Sequence, residues 1–125
     1  MTNKESVTGI LNYALKGSPL KEDTFSADFI QIINGRPVTL EEFHRGTAVL
    51  RQDHPIIELT ILSMAASGEC VHSHHLVATV NQSNEKKRFE VFARYDFVDG
   101  KAVGCFESLR ELNVAESIDV FFPLR

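Results

Sequence analysis

The stretch Phe89-Glu90-Val91-Phe92-Ala93-Arg94-Tyr95-Asp96-Phe97-Val98-Asp99-Gly100 decides the fold. Phe89, Val91, Ala93, Tyr95 and Phe97 recur at every second position, opposite Glu90, Phe92, Arg94 and Asp96. A period of two puts alternate side chains on opposite sides of a strand. Asp99-Gly100 then supplies two residues that tolerate positive φ, as a tight hairpin requires. The segment therefore predicts a long strand over 86–98 that turns into another over 101–110. Upstream, the same period predicts strands over 56–66 and 69–82. Ser67-Gly68 and residues 82–85 provide the turns. Four long strands with short connections form an antiparallel meander.

Ahead of the meander the period becomes helical. Val7, Ile10, Leu11, Ala14 and Leu15 predict an amphipathic helix over 5–17, closed by Gly17-Ser18-Pro19. Residues 19–26 read as a single helical turn. Phe29 to Ile33 is a strand, Asn34-Gly35 a hairpin turn, and Arg36 to Val38 a return strand that Pro37 confines to an edge. Thr39-Leu40-Glu41-Glu42 is a capping box, with Val38 and Phe43 as the matching hydrophobic staple. This second helix should run to about Gln52 and bury Leu40, Phe43, Thr47 and Leu50. Gly46 on that face suggests close backbone packing. Asp53-His54-Pro55 stops the helix. Helices, hairpin, helix and meander together predict an α+β fold, with helices on one face of a curved sheet.

With 125 residues, the chain reads as one domain over 1–125, with 113–125 as an acidic, then apolar, C-terminal tail. Hydrophobic residues at 43% and charged residues at 24% exclude a disordered chain. A net charge of -4, with Lys86-Lys87-Arg88 the only basic run, argues against a dedicated nucleic-acid binder. The most apolar stretch, Pro55 to Ala66, is broken by Glu58, Thr60 and Ser63. It also falls short of the ~20 residues a membrane helix needs. The first residues lead into no apolar secretory core. Cys70 and Cys105 form no CxxC pair and no disulfide framework. These features predict a cytoplasmic setting.

Three motifs then carry a family resemblance. Asn34-Gly35 is followed by Val38-Thr39-Leu40-Glu41-Glu42-Phe43. Ser67-Gly68-Glu69-Cys70-Val71 opens a strand. Tyr95-Asp96-Phe97-Val98-Asp99-Gly100-Lys101 runs into the strand that carries Glu107. In order and spacing this resembles the nuclear transport factor 2-like superfamily, and within it the SnoaL-like proteins, over residues 5 to about 112. The resemblance implies a cystatin-like cone: a curved, mostly antiparallel sheet wrapped around the N-terminal helices. It implies an apolar ligand pocket between sheet and helices, frequent homodimers, and no metal or other cofactor. The superfamily hosts isomerases, cyclases, epoxide hydrolases, dehydratases and non-catalytic modules, so the fold leaves function open.

Alternation sorts strand 69–82 into a face with Cys70, His72 and His74 and a face with Val71, Ser73 and His75. Periodicity does not say which face is inside. The resemblance implies that His72 and His74 share the concave side with Val91, Ala93, Tyr95, Cys105 and Glu107, near Tyr13 of the first helix. This gives an expected catalytic set of Glu107, His72 and His74. The expected ligand-binding set is Tyr13, Val91, Ala93, Tyr95 and Cys105. Histidine suits proton transfer because its ordinary pKa, ~6.5, lies near working pH. A carboxyl in an apolar pocket has its pKa raised, which suits a general acid or base. Glu107 is expected within reach of His72 or His74. The plainer alternative is a set of inward polar groups that satisfy one another. His72, His74 and Glu107 also make a two-His, one-carboxylate metal set, set aside because this fold usually holds no metal.

The remaining histidines, His44, His54 and His75, read as solvated or interface residues, and Arg94 with Asp96 as an outer ion pair. Limonene epoxide hydrolases carry Arg and Asp where this chain has His72 and His74, so only Glu107 corresponds. Ketosteroid isomerases use a tyrosine of the first helix, which Tyr13 matches, but their acidic residues fall near Ile33 or Asn34 and at Ala93, so that mechanism does not transfer. The reading is a small-molecule-binding protein: an acid–base isomerase, cyclase or hydratase acting on a small apolar or carbonyl compound. A non-catalytic ligand-binding or interaction module is the alternative. A homodimer is expected through an outer face holding Phe92, Val77, Phe106, His75, Arg94 and Ser108.

Overall fold

Thr2 starts the chain's first helix. Its hydroxyl accepts from the Glu5 backbone N–H at 3.1 Å, while the Glu5 carboxylate accepts from the Thr2 N–H at 2.7 Å. Helix α1 therefore spans Asn3–Lys16, two residues earlier than the apolar periodicity suggests. The computed structural model describes residues 1–113; most of the expected tail over 113–125 lies outside the described residues. After α1 come strands β1 (Phe25–Ile33) and β2 (Arg36–Thr39), then helix α2 (Leu40–Asp53). Strands β3 (Ile56–Ser67), β4 (Cys70–Val80), β5 (Lys86–Val98) and β6 (Lys101–Leu112) complete the order. The capping box of α2 forms as expected between Thr39 and Glu42.

All six strands join one sheet in the order β2-β1-β6-β5-β4-β3. The meander β3 to β6 is antiparallel, and β1 lies parallel to β6. Irregular register in β3 between Ile61 and Ser63, and between Asp96 and Phe97 of β5, bends the long strands. Asn34 and Gly35 take φ of 48° and 85°, as the two central residues of their hairpin turn require. Beyond β1, the Asn34 side chain continues its ladder: Nδ2 donates to the Leu109 carbonyl at 3.0 Å and Oδ1 accepts from the Leu109 N–H at 2.9 Å.

Helix α1 packs Val7, Ile10, Leu11 and Ala14 against Val71, Ala93, Tyr95, Phe97, Ala102 and Cys105 of the sheet. This is the α+β architecture that the sequence predicts. Two local expectations fail. The helical turn over 19–26 does not form, because Phe25 pairs with Ala102 and the Thr24 carbonyl accepts from the Ala102 N–H at 2.8 Å. Gly46 lies on the exposed side of α2, with nothing within 4 Å of where a Cβ would stand. Phe43 is the buried residue of that helix.

The phase of β4 also differs from expectation. A four-residue turn over 82–85 would set odd positions of β4 opposite even positions of β5. The last pair is instead Val80 with Lys86, so the loop comprises residues 81–85. Asn81 closes it, its Oδ1 accepting from the N–H groups of Ser83 and Glu85, both at 2.9 Å. One added residue turns every β4 side chain to the other face. Val71 pairs with Tyr95, Ser73 with Ala93 and His75 with Val91, and all three β4 residues are buried on the helix side. His72 and His74 pair with Arg94 and Phe92 on the outside. Cys105 and Glu107 pair with Tyr95 and Ala93, so both face the helices as the resemblance implied.

Candidate active site

The helix side of the sheet holds a short polar chain among apolar neighbours. Gln31 of β1, Cys105 and Glu107 of β6 and Tyr95 of β5 share that side. Gln31 is 6% exposed, and its Nε2 donates to Oε2 of Glu107. The Cys105 thiol lies 4.0 Å from the same oxygen. Burial raises the Glu107 pKa above its ordinary value, and the Gln31 hydrogen bond partly offsets that rise. Burial also raises the Cys105 thiol and the Tyr95 phenol, so both stay protonated at neutral pH.

His75 is the buried histidine of the same side, and burial together with neighbouring His74 pushes its pKa down to about 4. Its ring is therefore neutral at working pH, with Nδ1 3.3 Å from the Ser73 hydroxyl. Sequence reasoning passed over His75 for reasons of phase alone. It also passed over Gln31, although an amide inside Phe29-Ile30-Gln31-Ile32-Ile33 is the signal that a buried polar partner is needed.

The expected catalytic set does not assemble. Glu107 faces the helices, whereas His72 is exposed on the opposite side of the sheet. His74 is also outside, where its Nε2 lies 2.9 Å from Oε2 of Glu90 and its ring stacks on Phe92 at 4.1 Å. Glu90 is itself buried and accepts a 2.9 Å hydrogen bond from Arg110. Glu107 takes Gln31 as its partner in place of either histidine. The two-His, one-carboxylate metal set is divided by the sheet for the same reason. Among the described residues, no group of three or more His, Cys, Asp or Glu could hold a metal ion.

Of the expected ligand-binding residues, Val91, Ala93, Tyr95 and Cys105 are buried on the helix side within the packed core. Tyr13 packs at the margin of that core, its hydroxyl 2.5 Å from Nδ1 of His44 on α2. On the outside, Arg94 and Asp96 form the expected ion pair at 3.3 Å. Val77 and His75 belong to the helix side and so leave the outer face expected for a dimer. That face keeps Phe92, Phe106, Arg94 and Ser108, which border a depression of about 510 Å³ that Ser73, Ala93 and Glu107 of the helix side also line. No described helix is long and apolar enough to cross a membrane.

This topology recurs in solved structures. AclR of Streptomyces galilaeus, a proposed hydroxylase, superposes with a TM-score of 0.75 at 14% identity over 97% of this chain and 95% of that one. IdmH of Streptomyces antibioticus, a proposed polyketide cyclase, gives 0.74 at 12% identity over 91% of this chain and 94% of that one. A SnoaL-like polyketide cyclase of Agrobacterium tumefaciens gives 0.70 at 14% identity over 100% and 99%. The fold is that of SnoaL-like polyketide cyclases. At these identities the likeness to SnoaL-like proteins is one of fold. No protein-family model matches the sequence. An uncharacterised protein of Schizosaccharomyces pombe is 27% identical over 74 residues, which cover 59% of this chain and only 57% of that protein.

Proposed function

We propose that this SnoaL-like chain binds a small apolar or carbonyl-bearing compound on the helix side of its sheet. Glu107 acts there as the acid–base group of an isomerase, cyclase or hydratase. The reading rests on one observation: Glu107 is a buried carboxyl with a raised pKa, anchored through one oxygen to Gln31. A raised pKa makes a carboxyl a better proton donor and acceptor than an ordinary surface carboxylate. Neutral His75, two strands away, supplies hydrogen bonding without adding charge.

The test is exchange of the α-protons of cyclohexanone with deuterated water, followed by NMR. The wild-type protein should accelerate it, and Glu107→Gln should lower the acceleration at least ~100-fold while the fold is retained. Equal rates with both proteins would remove Glu107 from the chemistry. A second reading, a non-catalytic binding or interaction module, is favoured by the tight packing of Val91, Ala93, Tyr95 and Cys105 in the core. It predicts no exchange from either protein.

Two accompanying proposals concern setting and assembly. Free Cys70 and Cys105 suit a reducing, cytoplasmic compartment. Phe92 at 52% and Phe106 at 45% exposure, beside Arg94 and Ser108, suit a homodimer through the outer face.

A further inference from the structure

A separate recess of about 330 Å³ opens where the two helices end and β3 begins. None of Glu107, Gln31 or His75 lines it. Leu15 of α1, with Pro55 and Ile56 at the entry to β3, gives it apolar walls, and Ile56 is 50% exposed. Lys16, Arg51, His54 and Glu58 supply its polar groups. Its volume is at the lower end of small-molecule sites, which run ~300–1,000 Å³ and combine apolar walls with a few fixed polar groups.

Both cations of this recess are tethered to backbone. The Lys16 ammonium donates to the Ile57 carbonyl. Arg51 donates through Nη1 to the carbonyls of Tyr13 at 3.0 Å and Ala14 at 2.9 Å. Its guanidinium carbon also lies 5.5 Å from the centre of the Tyr13 ring. His54 closes α2: its backbone N–H donates to the Leu50 carbonyl at 3.1 Å, and its Nδ1 lies 2.8 Å from the same oxygen. Carbonyls at both helix ends, which would repel an anion, are thereby covered. An ammonium has three donors and a guanidinium five, so Lys16 and Arg51 both keep donors to spare. Among the described residues, neither is ion-paired with a carboxylate. Two cations against the single carboxylate of Glu58 leave a positive excess here, in a chain whose net charge is -4.

We propose that this recess binds a small organic anion, a carboxylate carrying a short aliphatic chain. The carboxylate takes the spare donors of Lys16 and Arg51. The chain lies along Leu15, Pro55 and Ile56 and removes the exposed side of Ile56 from water. Because both cations are already tethered, binding costs less side-chain freedom than it would at two loose surface cations. The site selects in two ways. A neutral molecule of the same shape leaves the positive excess unmatched, and an amine meets like charge. A carboxylate without a chain gains only a solvent-screened ion contact. The proposal does not depend on the role of Glu107.

The experiment titrates the full chain with butyrate, n-butanol, butylamine and formate at low ionic strength while backbone amide shifts are recorded. Butyrate should perturb Lys16, His54, Ile56 and Ile57 and saturate below about 10 mM. The other three should each bind at least ~5-fold more weakly, each lacking either the charge or the chain. Lys16→Met, which keeps the stem and removes the charge, should weaken butyrate ~5-fold and leave n-butanol unchanged. Glu58→Gln, at an exposed position, should tighten butyrate about 2-fold by removing a like charge. Should Lys16→Met fail to fold, Glu58→Gln and the wild-type comparison still decide. Butylamine binding as tightly as butyrate would make Glu58 the dominant charge and overturn the proposal. So would equal binding of formate or n-butanol, shifts confined to Ala93 and Leu109, absence of saturation, undiminished butyrate affinity in Lys16→Met, or weakened butyrate binding in Glu58→Gln.

Discussion

His74 and His75 are neighbours in sequence, and the sheet separates them. His75 lies on the helix side, buried, with its pKa pushed down to about 4 and the Ser73 hydroxyl beside Nδ1. His74 lies outside, stacked on Phe92 and 2.9 Å from Glu90, within a cluster that includes Arg110. The same side chain is thus a neutral core group in one place and, in the other, part of a half-buried cluster with Glu90 and Arg110 on the outer face. Strand phase, rather than residue type, decides which chemistry a β4 histidine can take up.

The sharpest way to break this contrast is to place a charge on each side of β4. Val71 is fully buried, so Val71→Asp should cost about 4 kcal/mol or more, most of the stability of a small domain. His72→Asp on the exposed side should stay within ~0.5 kcal/mol. Urea unfolding of both variants measures the difference, and similar losses would mean that the phase is wrong.

The next effect is carried by pH. Folded His75 stays neutral down to about 4, while its unfolded value is near 6.5. Between those values the unfolded chain binds more protons, so stability falls as pH drops through that window. The His75 contribution to that loss is roughly 3 kcal/mol. His75→Gln should flatten this part of the curve of urea midpoint against pH. An unaltered slope would place the ring in water.

Glu107 should show the opposite sign. Its folded pKa lies above the ordinary 4.5, so the folded chain binds more protons there and loses stability as pH rises. Glu107→Gln should therefore melt higher than the parent at pH 7 and equally at pH 4. The Gln31 hydrogen bond, which offsets part of the burial, limits the gain. A variant less stable than the parent at pH 7 would mean that the carboxylate is held in its charged form.

The smallest effect on stability comes from the outer face. Phe92→Glu should leave the unfolding midpoint within ~0.5 kcal/mol. In sedimentation, the parent should run as a dimer at micromolar concentration and the variant as a monomer. A monomeric parent would remove the outer face as an interface.

Much of the fold was legible because its signals are local. The Thr39–Glu42 box, the Asn34-Gly35 and Asp99-Gly100 turns and the alternation of β5 each depend on residues within a few positions of one another. The first two residues of α1 were missed because Thr2 and Glu5 precede the apolar repeat. The site was only half legible. Glu107 came out on the correct side, because β6 has the phase that the resemblance implied. The histidines came out reversed because residue 81 belongs to the loop, and one position there inverts a whole strand. Gln31 was missed because its partner is 76 positions away, beyond the reach of any local pattern. His44 was passed over because a position on a helix flank does not reveal a tyrosine on another helix.

The clamp of Asn34 on Leu109 joins positions 75 apart, and it caps a parallel pairing of β1 with β6. A ribosome therefore releases β1 long before the strand that will flank it exists. In that interval β1 has only four-residue β2 beside it, a ribbon too small to be stable alone. Closure must wait for the last strand, which makes assembly slow compared with that of chains held by near neighbours. During the wait, the open edge of β1, with Phe29, Ile30, Ile32 and Ile33 along it, is available to a chaperone or to the β6 of a sister chain.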